Sequence, residues 1–172
     1  RSVFAHCVHL EEQEWQCLHD TDSAIAYCPS SNLFLGSGLF PLKKAWDKQV
    51  KVGLGTDIGA GTSFNQLQTI QEAYKVQQLQ GSKLSAFEAL YHATLGGAKA
   101  LDLADKLGNF NLGKEADFAV LDLQPTALQQ LRQSRAKGLE DSVFALMMMG
   151  DDRNIHATYI YGQRAYLKTA TA

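Results

Sequence analysis

The sequence predicts an α/β fold: a parallel sheet covered by helices, giving way toward the C-terminus to short antiparallel strands. Three observations carry this. Apolar, β-rich runs alternate with helical patterns over residues 2–54, at the spacing of βα units. Polar residues able to do chemistry follow each of those runs, where parallel α/β proteins gather their ligands. From Leu107 the style changes to tight turns and short β-rich segments. With 172 residues, 45% apolar and 20% charged, the chain has enough material for one real core, which excludes a mainly disordered, collagen-like or disulfide-scaffold protein.

Taken in order, residues 2–8 (SVFAHCV) read as a strand buried on both faces. Residues 11–19 form a helix, acidic at its start, with Trp15 and Leu18 on one face. Residues 23–28 (SAIAYC) are the next strand, stopped by Pro29, and the polar residues 30–38 read as a loop. Helical spacing resumes over 39–49 through Leu42, Ala45 and Trp46, and residues 50–54 (VKVGL) make a third strand that runs into Gly55-Thr56-Asp57. Residues 64–80 and 85–101 are long helix patterns. The second opens on Ser85 with Glu88 three residues on, a capping box, and is interrupted at Gly96-Gly97. Tight turns between short strands are expected over 107–115, a strand over 116–123, helices over 126–132 and 139–149, and a hairpin over 157–167 that turns at Gly162-Gln163. Three βα units are too few to close an eight-stranded barrel, but they suit its last part.

Charge and cysteine usage bound the partners. A formal net charge of -2 gives no electrostatic case for nucleic acid or a membrane surface. No run of about 18 apolar residues is present, so no membrane span is expected. Three cysteines, an odd number, read as reduced thiols of an intracellular, cytoplasmic protein. The chain starts on Arg1 and directly on a strand, which reads as a fragment.

Candidate chemistry sits at the strand ends. In His6-Cys7-Val8-His9 an imidazole can ligate a metal or shuttle a proton. Positions three apart on a strand point to opposite faces, which favours His6 over His9; a hydrogen-bonded structural histidine is the plain alternative. Asp57, after the third strand, can bind a divalent cation or take a proton, or simply cap its loop. Cys28-Pro29-Ser30-Ser31-Asn32 can line a pocket or brace its neighbours; Cys28 has no adjacent base and reads as a structural thiol. Neither dinucleotide nor P-loop fingerprint occurs, so no cofactor-binding residues are assigned. Met147-Met148-Met149 reads as core, and His19, His92 and His156 need no function.

Together the strand-end motifs are more specific than any one. The runs Phe4-Ala5-His6-Cys7-Val8-His9-Leu10, Tyr27-Cys28-Pro29-Ser30-Ser31-Asn32 and Gly53-Leu54-Gly55-Thr56-Asp57 closely resemble the amidohydrolase superfamily. Within it the chain resembles the guanine deaminases, most characteristically through Gly150-Asp151-Asp152-Arg153-Asn154-Ile155. The resemblance implies the C-terminal part of a (β/α)8 TIM-like barrel, residues 1–106, followed by residues 107–172, which add strands of a small β-sandwich domain and a C-terminal helical segment. It implies a zinc-dependent hydrolase that converts guanine and water to xanthine and ammonia, with one Zn²⁺ per complete site that acidifies a bound water. Asp57 matches the aspartate that ligates zinc and accepts the water's proton. His6 matches the histidine that hydrogen-bonds the attacking hydroxide.

The departures limit the expectation. The family's H-x-H pair, its third histidine ligand and the glutamate three residues after that ligand have no counterpart here, and Tyr27 stands where many relatives have histidine. The chain alone is therefore expected to be inactive. Its expected partners are the purine substrate guanine, the N-terminal part of the same enzyme and, when whole, a second copy in a homodimer. Another aminohydrolase acting on a different purine or a triazine, or a truncated non-enzymatic half-barrel, remain the alternatives.

Overall fold

The computed structural model describes residues 2–169. Three short strands, β1 (Val3–Ala5), β2 (Ala24–Tyr27) and β3 (Lys51–Leu54), form one parallel sheet in that order. Helix α1 (Glu12–Asp20) joins the first pair; α2 (Pro29–Phe34) and α3 (Leu42–Asp47) join the second. The register is level: Ala5 pairs with Ala26, and Ala26 with Gly53. After β3 come α4 (Gln66–Leu79), α5 (Ala86–Ala93) and α6 (Leu95–Ala100). A second, antiparallel sheet holds β4 (Phe118–Leu121), β5 (Ile155–Ile160) and β6 (Gln163–Leu167), with α7 (Ala127–Gln133) and α8 (Leu139–Met149) between its first two strands.

The core lies between the parallel sheet and its helices. Ile25, Tyr27 and Val52 meet Trp15 and Leu18 of α1, Leu42 and Ala45 of α3, and Leu67, Ile70, Ala73 and Val76 of α4. Each such large side chain, once buried, contributes about 1.5–3 kcal/mol. Leu146 and Met147 of α8 join the same cluster, and α8 packs on α4 and α5. Of the three consecutive methionines, only Met147 is fully buried.

Several expectations need correction. β1 is not buried on both faces: Val3 and Phe4 are 45% and 49% exposed. It is an outer strand, and among the described residues β2 is its only hydrogen-bonded neighbour. Residues 30–38 are not all loop. Pro29, with φ pre-set for a first helical turn, starts α2, and Ser30, Ser31 and Asn32 are buried in it. Small polar residues turned inward hid that helix from any hydropathy pattern. No strand precedes β4 in the turn region 107–115 among the described residues. The hairpin turns one residue early, at Tyr161-Gly162, because both adopt positive φ (53° and 71°), as a tight two-residue turn requires.

The 85–101 pattern breaks at Thr94, into α5 and α6. The Ser85–Glu88 capping box forms as expected. Gly96-Gly97 marks close packing as well as a break: a Cβ built on Gly53 of β3 would lie 2.8 Å from the Gly97 Cα, so backbone meets backbone there.

His92, on α5, ties the sheet to α3. Its Nδ1–H donates to the Val52 carbonyl (2.9 Å), and its Nε2 accepts from Trp46 Nε1–H (3.0 Å) with the rings stacked. Acceptance at Nε2 requires a neutral ring, and burial holds its pKa below the usual histidine value. A lowered folded pKa means the unfolded chain binds the proton more readily, so the stabilisation is full above the unfolded value of about 6.5 and declines as pH falls through that value toward the folded one. The urea midpoint is expected to drop between neutral and mildly acidic pH. The drop should shrink in His92→Gln, whose amide can keep both hydrogen bonds without titrating. Identical pH dependence in the two proteins would refute the assignment.

Candidate active site

The carboxyl ends of β1, β2 and β3 each deliver one group to a common point. The chain leaves β1 with the His6 backbone N–H donating to the Ala26 carbonyl (3.0 Å), then turns through His6 and Cys7 at φ 67° and 50°. Non-glycine residues rarely adopt that left-handed region, and such strain clusters at functional sites. The His6 ring is held by α2: its Nδ1 lies 2.9 Å from the Asn32 Oδ1. With the amide oxygen facing it, Nδ1 carries the ring proton and donates. The lone pair on Nε2 is then free, and Nε2 lies 3.7 Å from Asp57 Oδ2.

Asp57 follows β3 and also has a positive φ, 50°. Its loop is closed by the Gly61 N–H donating to the Asp57 carbonyl (2.6 Å). Gly61 has no alternative: a Cβ there would sit 1.8 Å from the Thr56 carbonyl oxygen. Gly61→Ala should therefore displace the loop that presents the carboxylate, and activity of the whole protein should fall by about tenfold or more. Retention of wild-type kcat/KM would show that the loop does not position Asp57.

Cys28 directly follows β2 and is the third group. Its thiol donates weakly to the Ala26 carbonyl (3.4 Å), and Gly55 leaves it room, since a Cβ there would be 3.1 Å from Sγ. Burial first, then the Asp57 charge, pushes this thiol up to about 11, with the His6 backbone N–H drawing it partly back. One donor atom each of His6, Cys28 and Asp57 lies within 4.8 Å of the others.

The sequence placed His6 after the first strand and Asp57 after the third, and the structure brings them together across the end of β2. His9 turns away; its Nε2–H donates to the Ser37 carbonyl (2.8 Å). Tyr27 is sunk in the core, accepting a hydrogen bond from Gln77 (3.3 Å) and packing on Phe40, with its pKa raised by burial. The 28–32 segment was expected to line a pocket or brace its neighbours without either residue being singled out; Asn32 is the brace of His6, and Cys28, read as a structural thiol, is a convergent donor. The buried Asn32 Nδ2 and Ser31 Oγ have no hydrogen-bond partner, a mark of a polar strand-end region. The Asp151–Asn154 stretch builds structure instead. Asp151 caps a short 3-10 turn and pairs with Arg153 (2.6 Å), whose hydrogen bond holds the Asp151 carboxyl below its usual range.

The donor types suit zinc, which takes imidazole nitrogen, carboxylate oxygen and thiolate. The Asn32 contact adds the outer hydrogen bond that ligating histidines ordinarily make. Asp57 therefore fits as a ligand on one side of a zinc centre, with the free Nε2 of His6 beside it.

A parallel βα layer with an imidazole and a carboxylate meeting at its strand ends defines a class of α/β enzymes whose chemistry sits at the carboxyl edge of the sheet. Residues 1–165 match the amidohydrolase family, and the chain belongs to it. It is 64% identical over 164 residues to the guanine deaminase of Escherichia coli K12, covering 95% of this chain and 37% of that protein. The solved E. coli guanine deaminase superposes with a TM-score of 0.96 at 63% identity, over 97% of this chain and 39% of that one. A C. acetobutylicum guanine deaminase with guanine in its active site matches at a TM-score of 0.81 and 30% identity, over 95% of this chain and 39% of that one. An adenosine deaminase from Xanthomonas campestris with bound zinc matches at 0.81 and 25%, over 96% of this chain and 37% of that one. The chain thus spans roughly two fifths of the length of these relatives.

Proposed function

We propose that this chain supplies the His6–Asp57 side of a zinc-dependent guanine deaminase site, in a protein that hydrolyses guanine to xanthine and ammonia. The observation that carries the reading is the 3.7 Å approach of His6 Nε2 to Asp57 Oδ2 beyond the ends of β1 and β3, in a chain so similar to a guanine deaminase. The fold reading goes with it: residues 1–106 as the last part of a (β/α)8 barrel, and residues 107–172 as the β-sandwich contribution with the helical segment. The parallel β1–β3 layer and the antiparallel β4–β6 sheet support this division.

When bound, zinc lowers the pKa of a coordinated water and so provides a nucleophile near neutral pH. Asp57 would hold the ion, and its carboxylate would accept the proton of the bound water. The Nε2 lone pair of His6 would accept a hydrogen bond from the attacking water and so orient it. Asn32 keeps the ring turned for that task. The proton held at Asp57 is available to the departing amine, which must leave as ammonia.

The complete centre needs protein ligands beyond Asp57, because catalytic zinc sites use three and keep one position open. The N-terminal part of the enzyme would supply them, and a homodimer is the expected assembly of the whole. A cytoplasmic setting suits three free cysteines. Among the described residues no helix is long and apolar enough to cross a membrane. The test compares the whole protein and this chain alone, each with zinc, on guanine, adenine and 8-oxoguanine. Xanthine production by the whole protein with no turnover by the chain is the expected result. Preference for another ring, or enzymatic turnover by the chain alone, would overturn the reading.

A further inference from the structure

We propose that Gln66 is a positioning residue for Asp57: its side-chain amide clamps the end of β3 to the start of α4 and so fixes the base of the loop that carries the carboxylate. Its effect on turnover rests on the guanine deaminase reading above; the clamp itself does not.

The end of β3 leaves a carbonyl in need of a donor. The Gly55 N–H donates to the Tyr27 carbonyl (2.9 Å), so Gly55 turns that group toward β2. Backbone groups alternate sides along a strand, so the Leu54 carbonyl faces the other edge of β3. Among the described residues no strand lies on that edge. Gln66, the first residue of α4, supplies the donor instead: its Nε2–H bonds the Leu54 carbonyl at 2.9 Å. A strand end is thereby tied to a helix whose Leu67, Ile70, Ala73 and Val76 lie in the core. Residues 55–65, with Asp57 among them, run between the two tied points.

The helix does not need Gln66 to start. Asn65 caps it, with Oδ1 accepting from the Leu67 N–H (2.8 Å). Gln66 is also a poor filler of space, since its buried Oε1 has no hydrogen-bond partner, a cost that an apolar side chain would not carry. What the amide adds is a donor for Leu54. The Gly61 N–H shapes the loop from within by bonding the Asp57 carbonyl, whereas Gln66 fixes where the loop stands. Asn32 supports the His6 ring in the same way, so His6 and Asp57 each have an amide behind them.

The experiment measures backbone hydrogen exchange, guanine kinetics and melting on the whole protein carrying Gln66→Met or Gln66→Glu. Methionine keeps the length and loses the donor. Glutamate as a carboxylate cannot donate to a carbonyl, yet it suits a helix N-terminus. In both, exchange over residues 55–65 should quicken by about tenfold or more, with residues 12–20 unchanged. kcat should fall by about tenfold or more with KM within about twofold, because the proton acceptor is displaced. Gln66→Glu should melt no lower than the wild type. A merely structural role would show the reverse, a lower melting temperature with kcat and KM kept. Unchanged exchange over 55–65 in a folded variant overturns the clamp, and quickened exchange with wild-type kcat overturns the positioning role. A wild-type protein that does not turn over guanine overturns the deaminase reading and leaves exchange to decide the clamp. Should Gln66→Met fail to fold, Gln66→Glu decides.

Discussion

In the whole protein, Asp57→Asn should lower guanine turnover by about a thousandfold or more, because under the proposed function it removes a charged metal ligand and the water's proton acceptor together. The substitution is well chosen on structural grounds. Asp57 has a φ of 50°, a region that asparagine enters almost as readily as aspartate. Its side chain is partly exposed, so the core is unaffected. The Gly61 N–H bonds the residue's backbone carbonyl, which the change leaves in place. The loss should appear in kcat with the melting curve nearly unchanged, and bound zinc should fall with it. Near wild-type kcat at full zinc occupancy would remove Asp57 from both roles.

A second large effect is expected at Asn154, where the cost is stability. This residue is fully buried, and its side chain joins three elements. Its Oδ1 accepts from Gln129 Nε2 of α7 (3.0 Å) and from the Asp151 backbone N–H (3.0 Å). Its Nδ2 donates to the Asp122 carbonyl just past β4 (2.7 Å). Asn154→Ala strands all three partners in the interior, at about 1–3 kcal/mol for each group left without compensation. Gln129 keeps its bond to the Met149 carbonyl (2.8 Å), which softens the loss. A net destabilisation of about 3–5 kcal/mol is expected, as for other broken buried networks. Urea unfolding of Asn154→Ala beside Asp152→Ala measures it. Asp152 is an exposed neighbour whose change should stay within about 0.5 kcal/mol. Similar midpoints for the two would show that the network carries little.

Local patterns in the sequence reveal what is local in the structure. β2 and β3 appear as apolar runs, α4 as a 3.6-residue periodicity, and the start of α5 as Ser85 with Glu88; all three follow from neighbours a turn or less apart. α2 was illegible because Ser30, Ser31 and Asn32 face inward, so its buried side is polar. The exposure of β1 was illegible too: its composition is that of a covered strand, and covering depends on what lies beside it. At the site, His6 and Asp57 stood out by residue type and by following a strand. Cys28 and Asn32 did not, since a thiol beside a proline and an amide in a polar run carry no chemical signature alone. Only the lateral register of β1, β2 and β3 sets them against His6. The Gly150–Ile155 motif points to the family, yet its buried member is a structural latch, which residue identity alone does not reveal.

The level register of the three parallel strands has a bearing on how such a protein can change over time. Ala5, Ala26 and Gly53 form a common baseline, and each reactive group rides on its own short segment just beyond it. Exchange of one segment alters one function and leaves the other two where they were. The tolerance is narrow along the strands themselves: a slip of β2 by one position would carry Tyr27, now wedged against Phe40, toward the place of Cys28 and tear open the interior. The tips can therefore be exchanged one at a time, while a change at the baseline disturbs all three groups together.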